Sequence, residues 1–144
     1  MSRVLLDTGP LVALIDTHQY HHKACHKILQ SITGQLYSTS AVLTEVFHFI
    51  EAGSQSWSHA AEFVKEFVNI DAVEMSSQNL NECFEMMFRY KDHPMDFADA
   101  TLVVSAVRLN TQNIFTLDVK DFSAYRIKKG FSFQAFNILG LELL

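Results

Sequence analysis

Short, wholly apolar runs alternate along this chain with longer stretches in which apolar residues recur every three or four positions. The short runs read as buried strands and the longer stretches as amphipathic helices. Val4-Leu5-Leu6 predicts a strand closed by Asp7; Thr8-Gly9-Pro10 supplies turn chemistry, and Leu11 to Ile15 a short helix with proline at its start. Ala24, Cys25, Ile28, Leu29 and Ile32 predict a second helix stopped by Gly34. Leu36-Tyr37-Ser38 reads as a strand. Thr39 or Ser40 then caps a helix carrying Val42, Leu43, Val46, Phe47, Phe49 and Ile50 and ending at Gly53. Ser54 or Ser56 opens a helix through Trp57, Ala60, Ala61, Val64, Phe67 and Val68, and Ile70 to Met75 follows as a strand. Ser76 or Ser77 caps a helix with Leu80, Cys83, Phe84, Met87 and Phe88 on one face. After Pro94, residues 96–107 form a helix apolar nearly all round, and therefore central. Asn113 to Thr116 reads as a strand, Asp118 to Phe122 as a loop, and a last strand falls within Phe131 to Leu139.

Strands separated by helical crossovers predict an α/β fold, with a parallel sheet covered on both faces. The 144 residues contain neither a repeat nor a linker. They are expected to form a single domain, residues 1–144, large enough to hold a core without disulfide or structural metal. Cys25 and Cys83 are too few for a disulfide framework and lack zinc-site spacing, so both are expected as reduced thiols. No apolar run approaches the roughly 18 residues of a membrane span, and residues 1–20 carry no signal-peptide pattern. A soluble cytoplasmic protein with no membrane partner is expected. Net charge is -5, from 16 acids against 11 bases. That argues against gripping duplex DNA by bulk electrostatics but leaves room for a local basic patch.

The anomaly lies in the acids, because an ionised carboxylate is costly to bury without positive compensation. Asp7 closes the first strand, and ligands of open parallel sheets gather outside the carboxyl ends of strands; it also fits as the cap of the helix that follows. Glu45 lies on the strip Ala41, Glu45, His48, Ala52, which taken alone reads more readily as a solvent face. Asp96 and Asp99 share one face of a helix too apolar for the surface, with Asp96 a natural cap. Asp118 follows the strand ending at Thr116, and Asp121 lies in the turn after it. Strand-end acids and acids from flanking helices would converge at one edge of the sheet. A like-charge pair 4 Å apart at an effective dielectric of 20 costs about 4 kcal/mol. Such a cluster needs protons or a divalent cation. An all-oxygen set suits Mg²⁺ or Mn²⁺, ions that promote phosphodiester hydrolysis.

Leu6-Asp7-Thr8-Gly9-Pro10-Leu11, Ser40-Ala41-Val42-Leu43-Thr44-Glu45-Val46, Met95-Asp96-Phe97-Ala98-Asp99-Ala100 and Phe115-Thr116-Leu117-Asp118-Val119-Lys120-Asp121-Phe122, in this order, resemble the PIN-domain ribonucleases, particularly VapC-type toxins. The resemblance spans nearly the whole chain. It implies a three-layer α/β/α sandwich with a central parallel sheet, and matches Asp7, Glu45, Asp99 and Asp118 to an acidic quartet that holds Mg²⁺ or Mn²⁺. Asp96 matches a secondary acid and Asp121 a less constant one. It further implies cleavage of single-stranded or looped RNA, a homodimer, and inhibition by a cognate antitoxin whose tail enters the acidic groove. Thr8 matches a hydroxyl near the first acid and Thr116 the Thr of the strand-end motif, and both are candidates for contact with RNA.

Lys120, Arg126, Lys128 and Lys129 form a basic cluster that could grip RNA phosphates beside the metal, or be solvated hairpin residues. Tyr125 and Phe122 are candidates for stacking on a base, with core packing favoured for Phe122. Of His18, His21, His22 and His26, the pair His22 and His26 lies one helical turn apart but lacks an evident third metal ligand, and the group reads as an exposed helix face. Two alternatives stay open. One is a noncatalytic PIN-like binding domain; the other is an aspartate-nucleophile phosphatase, although Gly9 stands where that chemistry wants a second acid.

Overall fold

The computed structural model describes residues 2–50, 55–70 and 75–143. Strands β1 (Arg3–Leu6), β2 (Gln35–Tyr37), β3 (Val68–Asn69), β4 (Asn113–Phe115) and β7 (Asn137–Ile138) make a five-stranded parallel sheet in the order β3-β2-β1-β4-β7. Val4, Leu5 and Leu6 are all buried, so central β1 is covered on both faces, as crossover helices require. Helices α1 (Thr8–Ile15), α2 (His22–Ser31), α3 (Ser40–Phe49) and α4 (Gln55–Phe67) form one group around α1; α5 (Ser77–Arg89) packs against α6 (Phe97–Leu109). The result is the expected three-layer α/β/α sandwich. Among the described residues no helix is long and apolar enough to cross a membrane.

Polar residues begin the helices where expected: Thr39 Oγ1 accepts from the Val42 N–H, and Ser76 Oγ from that of Asn79. Helix α6 is buried along almost its whole length. Its two buried hydroxyls are satisfied internally, Thr101 donating to the Ala98 carbonyl and Ser105 to that of Thr101, both at 2.6 Å. Cys25 and Cys83 are free and fully buried, and burial pushes both thiols up to about 11.

Three elements differ from expectation. The strand expected over Ile70 to Met75 is instead Val68–Asn69, taken from the end of the preceding helix. Strand β2 offers only three residues, and Leu36 and Tyr37 pair with Val68 and Asn69, so the ladder ends there. Residues 71–74 of the expected strand lie outside the described residues, as do Gly53 and Ser54, the expected helix stop and start. The expected loop after Asp118 is a six-residue helix, α7 (Val119–Ala124). The chain then makes an antiparallel hairpin, β5 (Arg126–Lys129) with β6 (Ser132–Ala135), before β7. Gly130, at φ 61°, opens its two-residue turn, a backbone region that favours glycine.

Candidate active site

At the carboxyl edge of the sheet, a cleft of 620 Å³ opens between the ends of β1 and β4 and helices α3, α6 and α7. Asp7, Glu45, Asp96, Asp99, Asp118 and Asp121 line it, and no Lys, Arg or His is among the described residues that do. The four segments that sequence reasoning singled out therefore meet at one place.

Parallel pairing of Leu6 with Phe115 sets the ends of β1 and β4 side by side. Thr116, completely buried, donates its hydroxyl to Asp7 Oδ2 at 2.7 Å and accepts the Asp118 N–H at 2.9 Å. Asp7 also accepts the Thr8 N–H at 2.8 Å as the cap of α1, so it is both a cap and a cleft acid. Thr8 in turn donates its hydroxyl to Glu45 Oε1 at 2.7 Å. The strip carrying Glu45 thus turns partly toward the cleft, with Glu45 half-buried and His48 exposed; Ala52 lies outside the described residues.

Helix α3 is anchored by Thr39, whose hydroxyl shares a 2.8 Å hydrogen bond with Thr101 of α6. The cap that starts the Glu45 helix is therefore tied to the helix that carries Asp99. Asp96 caps α6 by accepting the Asp99 N–H at 2.8 Å, and the Tyr125 hydroxyl donates to Asp99 Oδ2 at 2.8 Å. Asp118 caps α7 through the Asp121 N–H at 3.1 Å, and His93 Nε2 donates to Asp121 Oδ1 at 2.9 Å.

These carboxyls are hard to ionise together. Burial, joined by the like charges of Glu45 and Asp118, pushes the Asp7 carboxyl up from 3.8 to about 6, against the opposing hydrogen bonds from Thr116 and Thr8. Asp99 rises to about 8, again chiefly by burial, with Asp96, Asp7 and Asp118 adding and the Tyr125 hydroxyl opposing. Burial first, then Asp121, also pushes Asp118 up. Among the described residues no group of three or more His, Cys, Asp or Glu is gathered as a metal-holding cluster. Thr116, Thr8, Tyr125 and the capped N–H groups each draw a carboxylate toward protein.

The family model for the PIN domain matches residues 4–128. The chain belongs to the PIN domain family. This PIN domain is 27% identical over 129 residues to ribonuclease VapC26 of Mycobacterium tuberculosis, covering 85% of the chain and 92% of that protein. Its fold is similar to the crystal structure of M. tuberculosis VapC20, a Sarcin-Ricin loop cleaving toxin, with a TM-score of 0.71 at 17% identity over 82% of this chain and 92% of that one. It is also similar to VapBC2 from Rickettsia felis bound to a promoter DNA fragment, with a TM-score of 0.64 at 18% identity over 83% and 90% of the two chains.

The remaining residues singled out in the sequence fall in different places of the PIN domain. Thr8 is in the cleft, whereas Thr116 lies beneath it with no exposed surface. Lys120 and Arg126 are exposed on α7 and at the start of β5. Lys128 and Lys129 line a separate cavity at the other edge of the sheet. Tyr125 cannot stack on a base: it is completely buried, as is Phe122, and its hydroxyl serves Asp99. His22 Nδ1 donates to the Ala13 carbonyl at 2.7 Å, and its ring meets that of His26 edge-on.

Sequence reasoning missed the supporting role of Tyr125, the His93 contact and the place of Phe49. Phe49 is 67% exposed and lines the acidic cleft, one helical turn beyond Glu45. Its i+4 spacing from Glu45 was the available signal.

Proposed function

We propose that this chain is an endoribonuclease dependent on Mg²⁺ or Mn²⁺, and the toxin component of a VapBC-type toxin–antitoxin pair. The observation that carries the reading is a cleft at the carboxyl edge of a parallel sheet, lined by six acids and, among the described residues, by no cation. Such a donor set fits a hard divalent ion and suits nothing softer.

Asp7, Glu45, Asp99 and Asp118 would hold the ion or ions, with Asp96 assisting. When bound, the ion supplies positive charge at the phosphodiester and makes water a better nucleophile. The chain's residues do the rest. Thr116 and Tyr125 aim Asp7 and Asp99 and favour their ionised forms. Thr8 holds Glu45 by Oε1 and so fixes that carboxylate at the cleft wall. Water adds to phosphorus as the bond to the ribose oxygen breaks, and the proton that the water sheds is balanced by the one that the leaving oxygen takes from solvent.

The similarity to ribonuclease VapC26 supports an RNA substrate, and that to VapBC2 and to a toxin–antitoxin complex from Klebsiella pneumoniae supports an antitoxin partner; the homodimer rests on the sequence resemblance alone. Cleavage of single-stranded or looped RNA with Mg²⁺ or Mn²⁺, its loss in EDTA, and its loss in Asp7→Asn and Asp99→Asn are the expected results. Wild-type rates in those variants would remove the basis of the reading. A noncatalytic PIN-like binding domain is the second reading, favoured by the absence of a gathered ligand cluster among the described residues. RNA binding without cleavage under either metal would establish it.

A further inference from the structure

The two ends of the sheet carry cavities of opposite charge. Six of the chain's 16 acids line the cleft at the carboxyl edge. At the opposite edge, where β1 begins and α6 ends, a cavity of 540 Å³ opens against the hairpin β5–β6. Arg3, Lys128 and Lys129 line it, and no Asp or Glu is among the described residues that do. Three of the chain's 11 Lys and Arg are thus gathered at one cavity of a protein with net charge -5. None of the three makes an ion pair among the described residues, where the Lys or Arg that does is Arg108, with Glu82.

Arg3 Nη1 donates to the Leu109 carbonyl at 2.9 Å, which answers the exposed end of α6 but provides no carboxylate. Lys128 and Lys129 are exposed. Gln112 and Gln134 on the cavity wall carry further donors. Mutually repelling cations beside amide donors suit an anion with several oxygens. A peptide partner would need apolar anchors, and of the apolar wall residues, Ala106, Leu109 and Ile127 are buried in the core, leaving Val107 half-buried; phosphodiesters need only point charges and donors.

Two elements connect this cavity to the cleft. Helix α6 runs from Asp99 to Leu109, ten residues and so about 15 Å. Strand β5 starts next to Tyr125, the partner of Asp99, and ends with the two lysines. We propose that the cavity at the amino edge of the sheet is a second RNA site, gripping backbone phosphates several nucleotides from the bond that is cut. The inference rests on the chain acting on RNA, and gives that RNA a path longer than the acidic cleft.

The test is fluorescence anisotropy of the full chain with a fluorescein-labelled single-stranded oligoribonucleotide of about 16 nucleotides, in EDTA so that no cleavage intervenes. Lys128→Ala/Lys129→Ala is compared with Lys23→Ala/Lys27→Ala on α2, which removes the same charge elsewhere. Loss of the cavity lysines is expected to weaken binding on the order of tenfold near 0.1 M salt and to make log K against log [salt] shallower by about 1.4, with the α2 pair near wild type. Equal affinity and slope in wild type and the cavity variant would overturn the proposal, as would equal losses in both variants, which would mean bulk charge alone. Binding of polyglutamate without binding of RNA would assign the cavity to an acidic protein instead. Because binding is read without metal, failure of the nuclease reading appears separately, as RNA bound but not cut when Mg²⁺ is supplied.

Discussion

Tyr125 has no exposed surface, yet its hydroxyl reaches Asp99 Oδ2 across 2.8 Å. Its ring packs edge-on against Tyr90 and Phe122, so the core holds the donor in place. The hydrogen bond favours ionised Asp99 and works against the burial that lifts this carboxyl to about 8. Tyr125→Phe keeps the ring and removes the donor. Asp99 then rises further, and the acid limb of the pH profile of kcat/KM moves to higher pH. The stability loss should be about 1 kcal/mol. A limb that stays in place would separate Asp99 from the ionisation that limits the reaction.

The raised carboxyls make stability depend on pH in a definite direction. In the unfolded chain these groups ionise near 3.8, whereas the folded protein holds the Asp7 proton to about 6 and the Asp99 proton to about 8. Between those values the native state binds more protons, so stability falls as pH rises. For Asp7 the difference corresponds to about 3 kcal/mol, fully felt above pH 6. In EDTA, the thermal midpoint by calorimetry should therefore drop from pH 5 to pH 8. Asp7→Asn and Asp99→Asn should each flatten the decline. Mg²⁺ or Mn²⁺ at one hundred times its dissociation constant should restore about 2.7 kcal/mol at pH 8. A midpoint that climbs with pH in EDTA would contradict this.

Much of the fold was legible because burial writes itself into residue order. Val4-Leu5-Leu6 read as a buried strand and the apolar circumference of residues 96–107 as a central helix, and β1 and α6 stand there. The acids were legible for the complementary reason: Asp7 and Asp99 sit where such a core leaves no room for uncompensated charge. Elements with few buried residues were not legible. Helix α7 is six residues with Phe122 alone buried, and β5 buries only Ile127, so neither displays a period. Strand β3 was misplaced because its length is set by its partner β2 and not by its own sequence. Tyr125 and Thr116 act through contacts 26 and 109 residues away in the chain, which no local spacing encodes.

Thr116 joins the two strand-end acids, donating to Asp7 while accepting from the Asp118 backbone. Thr116→Val preserves shape but leaves Asp7 with one donor fewer and the Asp118 N–H unpaired. Removing a buried partner of this kind costs about 1–3 kcal/mol. The cleavage rate should fall with it, because both acids lose their aim, whereas Thr116→Ser should recover most of the rate. Equal impairment of the Val and Ser variants would make the methyl group, and not the hydroxyl, the feature that matters. Urea denaturation beside a cleavage assay distinguishes these outcomes.

Phe49 stands at the rim of the acidic cleft, one turn past Glu45 and largely exposed, where burial cannot explain an aromatic ring. Unpaired bases stack on such rings, each for about 1–3 kcal/mol. On this basis Phe49→Ala should raise KM for single-stranded RNA by roughly tenfold or more with little change in kcat, since the acids stay where they are. Phe49→Trp should retain binding. The thermal midpoint should hardly move, because removal of an exposed side chain leaves no cavity. A fall in kcat at unchanged KM would instead place Phe49 among the groups that position the acids, and a lowered midpoint would mean that it packs against the core.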